Sequence, residues 1–284
     1  LQKIMRLRPM PVVIVSALSH TGTAASLRAL ELGAFDCIGK PAGAISNMLG
    51  EFANRLVESV RLACQSPIRR QSARPRTTLA PQPLKLTSGG GHKLIAIGAS
   101  TGGIEALHRL LPAFPKDCPP TMVVQHINPS FAKPMAEMLA TRCAAAVKLA
   151  ESGERLMPGT IYIAPGSERH LTVGAGGVLT AKLAPGEKVT GHRPSVDALF
   201  SSAADQLGPE AVGILLTGMG TDGAAGLCEM RRAGAFTIAQ DEATCTVYGM
   251  PRAAVELGGA DAVLPIDRIA EAALGPQVRA LMPH

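Results

Sequence analysis

Three side-chain types that together can hydrolyse an acyl bond sit at the ends of apolar runs in this 284-residue chain. The run Lys93-Leu-Ile-Ala-Ile-Gly-Ala-Ser-Thr-Gly-Gly103 reads as a strand that opens into a helical pattern, which puts Ser100 on the turn between them. Glycines on either side are expected to let the backbone turn tightly, so that the hydroxyl projects beside the first free N–H groups of the helix. The run Thr121-Met-Val-Val-Gln-His126 delivers His126 at its carboxyl end, and Gly213-Ile-Leu-Leu-Thr-Gly-Met-Gly-Thr-Asp222 delivers Asp222 in a glycine-rich turn. A serine hydroxyl is a poor nucleophile until a base takes its proton, and imidazole suits that role near neutral pH. An aspartate on the far ring nitrogen fixes the tautomer and stabilises the imidazolium. Each residue alone has a plainer reading: a turn that packs a helix closely or cradles a phosphate, a hydrogen-bonded strand-end histidine, a turn aspartate. The chain order Ser100, His126, Asp222 also differs from the serine, acid, histidine order of α/β-hydrolases, so a different fold must position the three.

The positioning elements are legible as alternating patterns. Leu94–Ile97, Thr121–Val124, Val212–Leu216 and Phe236–Ala239 are continuous apolar runs, the signature of parallel strands covered on both faces. Ile104, Leu107 and Leu111 give an apolar helical stripe after the Ser100 turn, and Ser195 with Asp197 are placed to cap a helix carrying Leu199 and Phe200. The stretch from His170 to Lys182 alternates around glycines and is expected to add an antiparallel hairpin to the sheet. The expected fold is α/β: a doubly wound parallel sheet with an antiparallel hairpin extension, its site outside the carboxyl ends of the strands.

Ahead of it, Leu1-Gln-Lys-Ile-Met-Arg has helical spacing and reads as a cut end, followed by a buried strand over Pro11–Ser16, a helix from about Thr21 to Leu32, and a second strand and turn over Gly33–Pro41. The stretch Gln65–His92 joins the two pieces. It holds four prolines, the cations Arg69, Arg70, Arg74, Arg76 and Lys85 without an acid, and ends Ser-Gly-Gly-Gly, which is linker composition. The organisation read is thus 1–64, a linker over 65–92, and 93–284.

Composition narrows the function classes. The formal charge of +6 is largely the linker's, and with 3% aromatic residues and no Trp the stacking platforms of single-strand nucleic-acid binders are not suggested. Apolar runs fall well short of the ~20 residues that cross a bilayer, so no membrane insertion is expected. Six cysteines lie scattered without C-x-x-C spacing, which fits a reduced, cytoplasmic compartment and small buried hydrophobes, with no metal site.

Gly98-Ala-Ser-Thr-Gly-Gly103, Gln125-His126, His192-Arg-Pro-Ser-Val-Asp197, Leu216-Thr-Gly-Met-Gly-Thr-Asp-Gly-Ala-Ala225 and Val247-Tyr-Gly-Met-Pro-Arg252, in this order, resemble the CheB-type chemotaxis protein-glutamate methylesterases. The front piece resembles the C-terminal half of a flavodoxin-like response-regulator receiver domain, with Ser16 and Lys40-Pro41 in the places of its phosphate-sensing hydroxyl and lysine. The phosphoacceptor aspartate would lie before Leu1, so the chain reads as N-terminally truncated and not responsive to phosphorylation. The resemblance implies Ser100 as nucleophile, His126 as base and Asp222 as its orienting acid, with Met219 as an oxyanion donor; Thr101 either positions Ser100 or the base or is a plain residue at the helix start. Arg193 and Tyr248 are its substrate-side candidates; for Arg193, satisfaction of local carbonyls or of Asp197 stands equally, and the Tyr248–Arg252 stretch is either substrate groove or a structural turn and helix start. It further implies glutamate γ-methyl esters and certain glutamines of chemoreceptor cytoplasmic domains as substrate, the chemotaxis histidine kinase as partner of the full-length protein, and no cofactor. Two rivals remain on the residues alone: a nucleotide- or phosphate-binding module around Gly98–Gly103, and a serine esterase or amidase acting on small molecules.

Overall fold

The computed structural model describes residues 1–16, 20–40, 46–65, 92–166, 168–174 and 176–275. The expected linker cations and Pro41 fall outside these residues. The chain divides into two compact units, Leu1–Ala80 and Pro81–His284.

The first unit runs α1 (Gln2–Leu7), β1 (Val13–Ser16), α2 (His20–Glu31), β2 (Asp36–Gly39) and α3 (Ser46–Gln65). Its strands pair in parallel with Ser16 opposite Gly39, and Lys40 donates its backbone N–H to the Ser16 carbonyl at 2.8 Å. Ser16 and Lys40 therefore share one rim, at the carboxyl ends of neighbouring strands. At the other end, the buried Asp36 carboxylate accepts from Cys37 N and from Ser59 Oγ of α3, both at 2.7 Å, and so ties the long helix to the strand pair.

The second unit runs β3 (Leu94–Ala99), α4 (Gly103–Leu110), β4 (Thr121–Gln125), α5 (Pro129–Ala140), β5 (Ala146–Leu149), β6 (Thr160–Ile163), β7 (His170–Gly174), β8 (Thr180–Ala184), α6 (Val196–Leu207), β9 (Ala211–Leu215), α7 (Ala224–Arg232), β10 (Phe236–Gln240), α8 (Met250–Glu256), β11 (Ala262–Leu264) and α9 (Ile266–Leu274). Seven strands form one parallel sheet in the order β11-β10-β9-β3-β4-β6-β5. The four continuous apolar runs are its central strands, because a strand covered on both faces has no solvent side to mark. Leu94 and Ala96 join the core that holds Leu199 and Phe200 of α6, while Ile95 and Ile97 alternate to the opposite face, equally buried. The shorter β5, β6 and β11 flank them.

The hairpin β7–β8 forms as expected but does not extend the sheet; it is a separate two-stranded ribbon. Leu171 and Val173 point into the core shared with α6, and the Ser202 hydroxyl of α6 accepts from Val173 N at 3.0 Å. The ribbon spends its apolar face on a helix, which keeps it off the sheet edges.

Gly98 also differs from expectation. It lacks a left-handed backbone; Gly102, at φ +77°, supplies that conformation before α4. A Cβ on Gly98 would run into the Val196 side chain, and a Cβ on Gly223, whose φ is +90°, would meet the same methyl groups. Both glycines make room for the first turn of α6 to lie against β3. Gly98→Ala should cost about 1–3 kcal/mol through overpacking. Adding Val196→Ala should recover part of that, so that the two changes are less than additive in denaturant unfolding; strict additivity would show that the contact does not set the approach of α6.

Candidate active site

The site follows from the strand order. β4, β3 and β9 are adjacent, and their carboxyl ends lead to His126, Ser100 and the 216–223 turn that carries Asp222. This is where strand order reverses direction from β3, the place at which parallel α/β sheets hold their sites. Ala99 and Gln125 are register partners and His126 N donates to Ala99 O at 2.9 Å, so Ser100 and His126 are the next residues out on neighbouring strands. Gln125 locks that register. Its buried amide nitrogen donates to the Ser100 carbonyl at 2.8 Å and to the His126 carbonyl at 3.0 Å, bridging the backbones of both residues.

Asp222 is fully buried, and α6 explains how a carboxylate survives there. Oδ2 accepts from Val196 N at 2.8 Å and Oδ1 from Asp197 N at 3.0 Å, two of the unpaired N–H groups at the start of the helix. The Ser195 hydroxyl donates to Oδ1 at 2.7 Å while accepting from Ala198 N as the N-cap, and Ser195 N donates to Nδ1 of His170 at 3.2 Å. Every N–H from Ser195 to Ala198 is thereby satisfied. Burial alone would push the Asp222 pKa up, but the His126 ring and the α6 N–H groups outweigh it and hold the carboxyl below its ordinary value.

The remaining partner of Asp222 is His126, whose Nε2 lies 2.7 Å from Oδ2. An ionised carboxylate can only accept, so Nε2 carries the proton and Nδ1 keeps its lone pair. Nδ1 is buried and has no hydrogen-bond partner among the described residues, and neither has the Ser100 hydroxyl. This open acceptor stands at the end of the strand next to that of Ser100, and a buried polar atom without a partner calls for an explanation that the packing does not supply. The His192 ring lies flat on His126, centroids 3.8 Å apart and planes 8° from parallel. A two-residue turn, Thr190 at φ +50° and Gly191 at φ +80°, places His192. The Thr190 hydroxyl donates to Asp197 Oδ2 at 2.9 Å, and Gly226 N of α7 donates to Asp197 Oδ1 at 2.7 Å. Asp197 thus holds the turn and α7 instead of capping α6, and burial raises its pKa, with the Asp222 charge adding to the rise.

Other candidates share the rim. Gly218 lies so close to Ser100 that a Cβ on it would press on the Ser100 Cβ, and the next N–H, that of Met219, has no acceptor among the described residues. Thr101 turns its carbonyl toward Thr217 Oγ1 at 3.0 Å, and Tyr248 is the bridge partner of Gly218, its phenol pKa raised by partial burial. Arg193 donates to the Gly186 carbonyl at 2.7 Å and stands 4.0 Å from Glu168; it does not bond Asp197. Ser16 and Lys40 belong to the other unit. Among the described residues no group of His, Cys, Asp and Glu is placed to hold a metal ion, and no helix is long and apolar enough to cross a membrane. Cys118 and Cys143 have thiol pKa values pushed up to about 11 by burial, which keeps them protonated.

The chemistry-bearing residues were visible in the sequence; their supports were not. His170 and Thr190 lie outside the quoted motifs, Thr217 lies inside one with no role read for it, and Val196 and Asp197 act on Asp222 through backbone N–H groups that every residue has.

A carboxyl whose folded pKa lies below the unfolded value of ~3.9 stabilises fully above that pH, and the contribution vanishes as pH falls through the folded pKa. Asp222→Asn should therefore flatten the acid limb of stability against pH below about 4, measured as the denaturant midpoint. An acid limb identical to wild type would remove Asp222 as the buried anion of α6.

A family model described as CheB methylesterase matches residues 95–273. The chain is 50% identical over 272 residues to the protein-glutamate methylesterase/protein-glutamine glutaminase of Agrobacterium fabrum, covering 95% of this chain and 77% of that protein. It is 50% identical over 271 residues to the like-named protein of Rhizobium etli, covering 95% and 76%. The crystal structure of the Thermotoga maritima CheB methylesterase catalytic domain superposes with a TM-score of 0.63 at 39% identity, over 64% of this chain and 97% of that one.

Proposed function

The chain belongs to the CheB methylesterase family, and from that premise we propose that it is a hydrolase of glutamate γ-methyl esters, and of selected glutamine amides, on the cytoplasmic domains of chemoreceptors. The observation that carries the mechanism is the His126 ring, with Nε2 held by ionised Asp222 at 2.7 Å and a buried, unpartnered Nδ1, at the end of the strand paired with the one that leads to Ser100. In the proposed reaction Ser100 Oγ attacks the ester carbonyl and its proton passes to His126 Nδ1. The negative charge on the carbonyl oxygen meets the Met219 N–H; one such donor contributes about 10²–10³ in rate in other hydrolases. His126 returns the proton to the leaving methoxide, giving methanol, or to the leaving amine, giving ammonia. Water, deprotonated by the same nitrogen, then attacks the acyl-enzyme and releases the glutamate carboxylate and free Ser100. Thr101 contributes through the nucleophile turn, and no cofactor is required by any step.

Tyr248 and Arg193 are the proposed substrate-side residues. Arg193 follows His192 in the chain, and with one N–H on Gly186 its guanidinium keeps others for an acidic receptor segment. The proposed organisation is a receiver half over 1–64, with Ser16 and Lys40 as its phosphate-sensing pair, a linker over 65–92 and the esterase over 93–284. The division between Ala80 and Pro81 falls within that linker. The proposed setting is the cytoplasm, with the chemotaxis histidine kinase as a partner of the longer protein. A small-molecule esterase would use the same three residues, and only the substrate separates it.

Methanol release from a methylated receptor cytoplasmic domain, with a small methyl ester in parallel, tests this reading. Wild type should release methanol from the receptor, and Ser100→Ala should lose the activity by a factor of about 10⁶, as removal of a serine nucleophile does elsewhere. Cleavage of the small ester alone would favour the rival. Arg193→Ala should raise KM for receptor while leaving turnover of the small ester in place; equal losses on both would exclude steering.

A further inference from the structure

Thr217 lies two residues beyond the end of β9, where the sheet meets the site, and is only 1% exposed. Its backbone holds the nucleophile strand: the Thr217 carbonyl accepts from Ser100 N at 3.0 Å, and Thr217 N donates to Gln240 Oε1 at 2.8 Å. Its hydroxyl does something separate. Oγ1 accepts from Thr246 N at 3.0 Å and from Val247 N at 2.9 Å, which uses both lone pairs. The one proton left points to the Thr101 carbonyl at 3.0 Å or the Val247 carbonyl at 3.2 Å. The bond to Thr101 is the shorter of the two, and the Val247 carbonyl also accepts from Gly218 N at 3.1 Å.

This single hydroxyl therefore joins three segments that approach the site separately: the nucleophile turn at Thr101, the 246–248 segment leading to Tyr248, and, through the Val247 carbonyl, Gly218 and the turn that presents Met219. We propose that Thr217 is a positioning residue for the hydrolysis, setting the distance between the Ser100 hydroxyl and the oxyanion donor of the 217–219 turn. The inference rests on the reaction proposed above, in which those two groups act on one carbonyl. Three backbone groups lose their partner if the hydroxyl goes, in a buried place where water does not replace it. A displacement of order 1 Å between a nucleophile and its electrostatic partner costs about 10²-fold in rate elsewhere.

The test compares Thr217→Val, which keeps the shape and removes the hydroxyl, with Thr217→Ser, which restores it. The first readout is labelling of Ser100 by a fluorophosphonate, in which Oγ bonds to phosphorus, fluoride leaves and the serine proton passes to the base; it needs no receptor. The second is methanol release from methylated receptor, resolved into kcat and KM. Thr217→Val should label about 10–100-fold more slowly, with kcat reduced to a similar degree and KM little changed, and Thr217→Ser should stay within about threefold of wild type. A Thr217→Val protein that labels at the wild-type rate overturns the assignment. So does a lower labelling amplitude at an unchanged rate constant, which would mean that the hydroxyl serves folding alone; Thr217→Ala, read in the same way, supplies the comparison if the valine variant does not fold. If wild type labels at Ser100 yet releases no methanol from receptor, the receptor reading falls while the labelling comparison still decides Thr217.

Discussion

The second unit holds a carboxylate with no solvent contact, and the helix α6 is what makes it possible. Asp222 takes two N–H groups from the first turn of α6, the Ser195 hydroxyl and the His126 ring, four donors for two oxygens. Without them, burial would favour the protonated acid, which could not hold Nε2–H or stabilise an imidazolium. The requirement spreads outward. The helix must start within hydrogen-bond distance of the 216–223 turn, so Val196 has to pass between Gly98 and Gly223, where any side chain would collide with it. His170 accepts the one N–H of that first turn that Asp222 and the cap leave over, and its other nitrogen, Nε2, donates to the Glu187 carbonyl at 2.8 Å. The β7–β8 ribbon is thereby tied to the site although it belongs to no sheet around it.

The second constraint is that chemistry needs groups from three strands at fixed separations, while a sheet fixes only the backbones. Gln125 and Thr217 supply the difference. Each is buried, each is neutral, and each bonds backbone of more than one segment: Gln125 the carbonyls of Ser100 and His126, Thr217 the turn of Thr101 and the chain at 246–247. Neutral bridges suit this place, since another charge would compete with Asp222 for the same donors. The 189–192 turn is the costlier device. Thr190 has a β-branched side chain at φ +50°, a conformation that costs of order 1–3 kcal/mol and persists only where surrounding bonds over-determine it. The bond to Asp197 and the His192 ring on His126 are those constraints.

Expectation and structure part company at particular residues for particular reasons. Ser195 was legible as a cap because N-capping is a local property of residue type. Asp197, two residues on, was read as a cap as well and is not one, since its carboxylate is drawn away by Gly226 N of α7, a residue distant in sequence. Gly98 read as a turn glycine, whereas its function is the space it leaves for a helix that begins almost a hundred residues later. The hairpin was correctly paired with itself from its alternation, but alternation says only that one face is covered. That the cover is α6 and not the sheet depends on where the helix lies.

From the sequence alone came the parallel sheet, the strand ends that carry Ser100, His126 and Asp222, and the family resemblance, because hydrophobic period and motif spacing are properties of the chain read in order. Only the tertiary structure decided that β9, β3 and β4 are neighbours, that His126 presents Nδ1 and gives Nε2 to Asp222, and that a helix N-terminus keeps that aspartate charged. Those facts concern distances between segments, and in a folded chain they are settled by what packs against what.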